Sequence, residues 1–225
     1  MKKIYLLSGP GSTQGFSNEI IIKLKEDLKG KNSVVFIASS PSSYDENDMY
    51  VNGNNDTVVG LKNHLKQVMD IKDITVIDER INKKNAKESI LSADVVYLLG
   101  GNPLTQLEYI KSNEFDQVLR EYDGIILGTS AGAMNMAKYG YYSKDKDCLN
   151  TFFYDALGIV DVTIDPHFDI ENKEQVKDAL IFSKEHVIVG VPNSSAICFN
   201  DGKTEYIGQC YIFEDGMMTD KNKRR

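Results

Sequence analysis

One serine stands between two glycines at the point where a buried strand is predicted to end and a helix to begin. Ser130 lies in the run GTSAG at residues 128–132, directly after the apolar residues 125–127. A catalytic serine must be exposed beside a base and beside donors for the developing oxyanion, because its hydroxyl is otherwise a poor nucleophile. A tight strand-to-helix turn meets these needs, since glycines avoid collisions and the helix start supplies free N–H groups. The pattern predicts Ser130 as a nucleophile.

Of the three histidines, His167 fits the role of general base best. It follows a proline at the end of the apolar run 160–164, where a strand is predicted to have just ended. Its imidazole is therefore expected at the same sheet edge as Ser130. His64 lies in a lysine-containing amphipathic segment and His186 opens a predicted strand, so neither is favoured.

Two further features bear on the same chemistry. Gly100 and Gly101 follow the buried residues 95–99 and precede a predicted helix, so their N–H groups are expected to form the second half of an oxyanion hole. Spacing alone does not choose the acid that orients the histidine. The aspartates between Ser130 and His167 are Asp145, Asp147, Asp155, Asp161 and Asp165.

Short apolar runs rich in β-branched residues alternate with helix-length segments, which predicts an α/β fold with a mostly parallel sheet and helices on both faces. The predicted strands are residues 3–7, 33–38, 74–77, 94–99, 124–127 and 186–191. The predicted helices are residues 17–28, 57–69, 85–91, 104–111, 114–121, 131–138 and 172–183. The runs 196–199, 204–207 and 211–213 predict a C-terminal antiparallel meander that closes one sheet edge.

The segment 39–56 is rich in Ser, Asn, Asp and Gly and has no periodicity, so a mobile loop over the carboxyl edge of the sheet is predicted. Neither a repeat nor a linker divides the chain, which predicts one domain over residues 1–225. No apolar stretch has the 18 or more residues of a membrane span, and the first residues are too short for a signal peptide. A cytoplasmic location is expected.

Composition narrows the partners and cofactors. A net charge of −7 disfavours nucleic acid as a partner. The three cysteines form no CxxC pair, which favours buried reduced thiols over a disulfide or a metal site. The glycines at residues 9–13 match neither common nucleotide-binding spacing. We therefore expect no metal or organic cofactor, no membrane partner, and a monomer or homodimer.

Three motifs together resemble peptidase family S51, which includes peptidase E (aspartyl dipeptidase) and the cyanophycinases. They are LLGGNPLTQL at residues 98–107, GTSAGA at residues 128–133 and DPHF at residues 165–168. The resemblance implies a fold like that of class I glutamine amidotransferases, with serine replacing their cysteine at the turn. It implies a triad of Ser130, His167 and Asp145, with Asp147 as the competitor of Asp145, and oxyanion N–H groups from Gly101 and Ala131.

Three departures concern the substrate. Lys173 stands where peptidase E uses an arginine to recognise N-terminal aspartate, and a lysine keeps the charge but lacks the planar two-donor fork. Asn193 stands where many relatives carry an acidic residue, and Pro103 replaces a threonine that is common after the glycines. The candidate substrate-binding residues are Asn102, Lys173 and Asn193.

These features predict a serine peptidase that hydrolyses short peptides through an acyl-enzyme on Ser130, with N-terminal aspartate as the candidate specificity. An esterase or amidase for small non-peptide substrates would use the same groups. A catalytically silent small-ligand binding protein would keep only the pocket.

Overall fold

A computed structural model describes residues 2–9, 15–53, 60–144 and 148–221. The strands are β1 (Lys3–Leu7), β2 (Ser33–Ile37), β3 (Asp73–Ile77), β4 (Val95–Leu98), β5 (Ile125–Thr129), β6 (Tyr139–Tyr142), β7 (Phe152–Asp155), β8 (Thr163–Pro166), β9 (Ile188–Val191), β10 (Ala196–Asn200), β11 (Lys203–Ile207), β12 (Tyr211–Glu214) and β13 (Met217–Asp220). The helices are α1 (Asn18–Asp27), α2 (Tyr44–Asn52), α3 (Leu61–Leu65), α4 (Lys83–Ser92), α5 (Pro103–Ser112), α6 (Phe115–Glu121), α7 (Ala131–Met136) and α8 (Lys173–Phe182).

The largest sheet has seven strands in the order β11-β10-β1-β5-β4-β2-β3. Strands β1 to β5 are mutually parallel, and β10 and β11 extend the sheet in antiparallel fashion beside β1. Because β1, β5 and β4 are neighbours and run the same way, the residues that follow them lie together at one edge. These are Ser8, Ser130 and the Gly100–Gly101 pair.

Hydrophobic cores cover both faces of this sheet, as the predicted α/β fold requires. In β1, Ile4 and Leu6 point into one core, and Tyr5 and Leu7 point into the other. The first core includes residues of α4, α5, α6 and α7, and the second includes residues of α1, α2 and α3. Within the described ranges, no helix is long and apolar enough to cross a membrane.

A second sheet has the strand order β13-β12-β9-β8, and β6 pairs with β7 in a separate hairpin. The prediction that residues 186–191 extend the main sheet is therefore wrong, because β9 pairs with β8 and β12 instead. The predicted meander is correct for β10 and β11, whereas β12 joins the second sheet. A third core, which includes Phe168 and Phe213, packs between this sheet and α8.

The segment predicted to be an irregular loop at residues 39–56 contains helix α2. Tertiary contacts hold this helix in place. The Asn47 amide donates to the buried Asp78 carboxylate at 3.2 Å, and Arg80 bridges Asp78 and Asp48 at 2.7 and 2.8 Å. These partners lie some thirty positions away in the sequence, which explains why the local composition does not predict the helix.

Candidate active site

The turn between β5 and α7 holds Ser130 in an unusual backbone conformation. Its φ is 51° and its ψ is −112°, a region that costs a non-glycine residue about 1–3 kcal/mol. The packing around it has no room for side chains, since a Cβ at Gly128 would collide with Met136 and a Cβ at Gly132 would collide with the Leu98 carbonyl. The predicted strand-to-helix turn is therefore confirmed, with Ser130 half-exposed at its apex.

The turn after β4 lies directly against this serine. A Cβ built on Gly100 would lie 3.5 Å from the Ser130 Cβ. Gly101 has φ 135°, which favours glycine, and a Cβ there would collide with the Ser39 hydroxyl. Ser39 Oγ donates to the Gly100 carbonyl at 2.5 Å and so fixes the turn from the side of β2. The arrangement places the backbone of Gly101 in the cavity that Ser130 lines.

His167 is paired with Asn193, a side chain predicted from the sequence as a substrate-binding residue. The Asn193 Oδ1 lies 2.6 Å from His167 Nδ1. The pair forms because β8 and β9 are adjacent parallel strands with Pro166 opposite Val191, so the residues just beyond both strands meet at one edge. With the amide oxygen as acceptor, Nδ1 carries the proton and Nε2 keeps the lone pair that a general base requires.

A buried serine at the end of β1 joins the two sheets at this point. Ser8 Oγ accepts from the His167 N–H at 2.6 Å and donates to Asn193 Oδ1 at 3.4 Å. It thus contacts both the backbone of the histidine and its side-chain partner. Sequence reasoning missed Ser8, although its position directly after the predicted strand 3–7 was an available signal. The structure adds that this strand lies beside β5.

Ser130, His167 and Gly101 line one cavity of about 300 Å³, together with residues 142–144 and one side of α8. Within the described ranges, no hydrogen bond joins Ser130 and His167 in this conformation. Catalytic hydrogen bonds of this kind are often long before substrate binds and tighten in the complex. The cavity thus contains a serine on a strained turn, an imidazole with a fixed tautomer and a glycine turn, which are the parts needed for acyl transfer.

The other predicted site residues have different positions. Asp145 and Asp147 both lie outside the described residues. Ala131 is fully buried at the start of α7, directly after Ser130. Asn102 caps α5, with its Oδ1 accepting from two backbone N–H groups of the first turn. Lys173 does not line the cavity and instead lies on a shallow groove with apolar residues of α8.

A buried carboxyl group lies two residues before the histidine. Asp165 is fully buried and accepts from Ser143 Oγ at 2.9 Å and from Gln175 Nε2 at 3.0 Å. Gln175 also accepts from the Asp169 N–H at 3.0 Å, so it spans the loop that carries His167. Burial raises the pKa of Asp165 to about 7, partly opposed by these two hydrogen bonds.

This carboxyl group predicts a pH-dependent stability. Because its pKa is higher in the folded protein than in the unfolded chain, the unfolded chain loses the proton first as pH rises from about 4 to 7. The contribution of Asp165 to the free energy of unfolding is therefore fully present below pH 4 and falls by roughly 4 kcal/mol by pH 8. Urea unfolding measures the free energy of unfolding of wild type and of Asp165→Asn at each pH. The difference between these two free energies should show this trend. A difference that does not change with pH would contradict it.

Comparison with known proteins agrees with this geometry. Residues 4–207 match Peptidase family S51. The chain is 23% identical over 208 residues to the uncharacterized peptidase Lmo0363 of Listeria monocytogenes, covering 88% of this chain and 94% of that protein.

Two solved structures share the fold. A protein from L. monocytogenes EGD-e assigned as peptidase E has a TM-score of 0.64 at 20% identity, covering 92% of this chain and 98% of its own. A peptidase from an acI-B1 actinobacterium has a TM-score of 0.69 at 15% identity, covering 98% of this chain and 93% of its own. Because the family match extends over most of the chain, including the serine turn, the glycine turn and the histidine loop, this protein belongs to peptidase family S51.

Proposed function

We propose that this protein is a serine peptidase that hydrolyses short peptides through an acyl-enzyme on Ser130. His167 takes the proton from the Ser130 hydroxyl, and the oxygen attacks the peptide carbonyl carbon. The developing oxyanion is stabilised by the N–H groups of Gly101 and Ala131. Loss of the amine, protonated by His167, leaves an ester on Ser130, which water then hydrolyses. The observation that carries the proposal is the shared cavity of Ser130, His167 and Gly101.

The size of the cavity supports a short substrate. A volume of about 300 Å³ is at the small end of the range for ligand pockets. The specificity for N-terminal aspartate that the family resemblance implies depends on Lys173, whose groove is separate from this cavity. Short peptides are therefore the proposed substrate class. The charged residues that line the cavity would determine which substrate residue is preferred.

A fluorophosphonate probe, which reacts with activated serines, tests the proposal. We expect one covalent adduct per chain, mapped to Ser130 by peptide mass spectrometry. The unlabelled protein is expected to hydrolyse dipeptides. Labelling with turnover of simple esters but not of dipeptides would instead indicate an esterase. The absence of both labelling and turnover would indicate a silent binding protein.

The group that orients His167 is proposed to be Asn193, with Asp145 as the alternative from the family resemblance. An amide oxygen fixes the tautomer and the ring orientation, although it lacks the charge that a carboxylate would place beside the imidazolium. We expect Asn193→Ala to lower kcat by about 100-fold and Asp145→Ala to change it less than threefold. The opposite ranking in steady-state assays would assign the role to Asp145. Asp147→Ala is the matched control, because it removes one negative charge two positions after Asp145.

A further inference from the structure

Helix α8 turns two carboxylates toward the catalytic cavity. Glu174, Gln175 and Asp178 line the cavity with Ser130, as expected for positions one turn apart on a helix. We call Glu174 and Asp178 the acidic wall. Lys173 and Lys177 belong to the separate groove on α8, so their charges are not part of this wall.

No ion pair within the described ranges compensates the acidic wall. In the described part of the chain, neither carboxylate forms an ion pair, and the partner of Asp178 is the neutral Thr151 hydroxyl at 2.8 Å. Lys144 also lines the cavity but forms no ion pair with either carboxylate. Like charges four residues apart on a helix repel and destabilise it. A position in the first helical turn favours a negative charge at Glu174, but Asp178 lies beyond that turn.

Polar groups with little spare hydrogen-bonding capacity for an anion lie beside the wall. Ser143 and Gln175, which line the cavity, are the two donors to the fully buried Asp165. Tyr141 is also fully buried, and its hydroxyl has no hydrogen-bond partner among the described residues. Burial raises the pKa of Tyr141, and the nearby Asp165 and Asp178 raise it further. The region between β6 and α8 is therefore suited to a cation and poorly suited to a further carboxylate.

We propose that Glu174 and Asp178 bind the positively charged side chain of a basic residue on the amino side of the scissile bond. The peptidase then prefers N-terminal lysine or arginine to aspartate, because an aspartate side chain would bring another negative charge to the acidic wall. This inference rests on the proposed peptidase function, since it assigns the specificity of the same cavity.

The test compares Lys-Leu, Ala-Leu and Asp-Leu with the full-length protein, with leucine release as the readout. We expect kcat/KM to be at least tenfold higher for Lys-Leu than for Ala-Leu, and lowest for Asp-Leu. Glu174→Gln and Asp178→Asn should each lower the value for Lys-Leu by about tenfold and change that for Ala-Leu less than threefold. Glu171→Gln removes the same charge from an exposed residue just before α8, and it should leave kcat/KM for all three dipeptides unchanged.

The rate of fluorophosphonate labelling separates the possible failures. If Ser130 is labelled and Lys-Leu is cleaved no faster than Ala-Leu, the inference on specificity is wrong while the peptidase function stands. The inference on specificity is also wrong if Glu174→Gln and Asp178→Asn are labelled at the wild-type rate and lower kcat/KM equally for Lys-Leu and Ala-Leu. If wild type is neither labelled nor active on any dipeptide, the proposed function and this inference both fail.

Discussion

Ser130→Ala is expected to lower kcat/KM for dipeptide hydrolysis on the order of 10⁴–10⁶-fold and to abolish fluorophosphonate labelling. In the proposed mechanism the hydroxyl oxygen forms the acyl bond, and no other described group at the apex of the turn would replace it. The residual rate would come from the oxyanion donors and from binding alone. Steady-state assays and intact-protein mass spectrometry measure the two effects.

The backbone at residue 130 makes this substitution a clean one. Alanine meets nearly the same constraints as serine at φ 51°, so Tm should change by no more than a few degrees. Ser143→Ala removes the other serine hydroxyl that lines the cavity and should retain labelling at Ser130, because Ser143 donates to Asp165. An adduct on Ser143, or substantial turnover by folded Ser130→Ala, would show that the nucleophile has been misassigned.

Local sequence was sufficient to predict the parts of the site that depend on one turn. The serine turn needs glycines where the chain packs against Met136 and the Leu98 carbonyl, and such glycines are visible in the sequence. The same is true of the glycine turn after β4. The strands β1, β2, β4 and β5 were predictable because each is a short apolar run buried on both faces. The edge strand β3 is less buried and was predictable from its β-branched residues.

The partner of the histidine could not be predicted in the same way. It depends on β8 and β9 being neighbours, and this pairing is a long-range contact that two short apolar runs do not specify. Assigning residues 186–191 to the main sheet separated Asn193 from His167. Both strands are followed or ended by proline, at Pro166 and Pro192, which is a shared signal that the two polar residues emerge at strand ends.

Among the described residues, the paired strands β8 and β9 hold the His167 ring through Asn193 and not through a carboxylate. Ser8 and Asn193 hold the histidine through its backbone N–H and its Nδ1, so ring orientation depends on two contacts rather than on a charge alone. An asparagine therefore keeps the geometry. What it gives up is electrostatic stabilisation of the imidazolium, which predicts a slower proton transfer than with a carboxylate.

His167→Ala is expected to lower kcat/KM on the order of 10³–10⁵-fold, because no other described side chain in the cavity has an imidazole nitrogen for the Ser130 proton. The serine remains, so fluorophosphonate labelling should become slow rather than disappear. Added imidazole should restore part of the turnover, since removal of the ring leaves space beside Asn193. Dipeptide assays with and without imidazole measure this rescue.

Two comparisons decide whether His167 acts together with Ser130. His186 stacks on Tyr139 with ring centroids 4.1 Å apart, and His186→Ala should keep kcat/KM within about threefold of wild type. Residues that act as one catalytic unit have effects that do not add, so the double variant Ser130→Ala/His167→Ala should be no slower than Ser130→Ala alone. A double variant that is slower by the product of the two single effects would mean that the histidine supports activity independently of the serine, and the proposed proton transfer between them would be wrong.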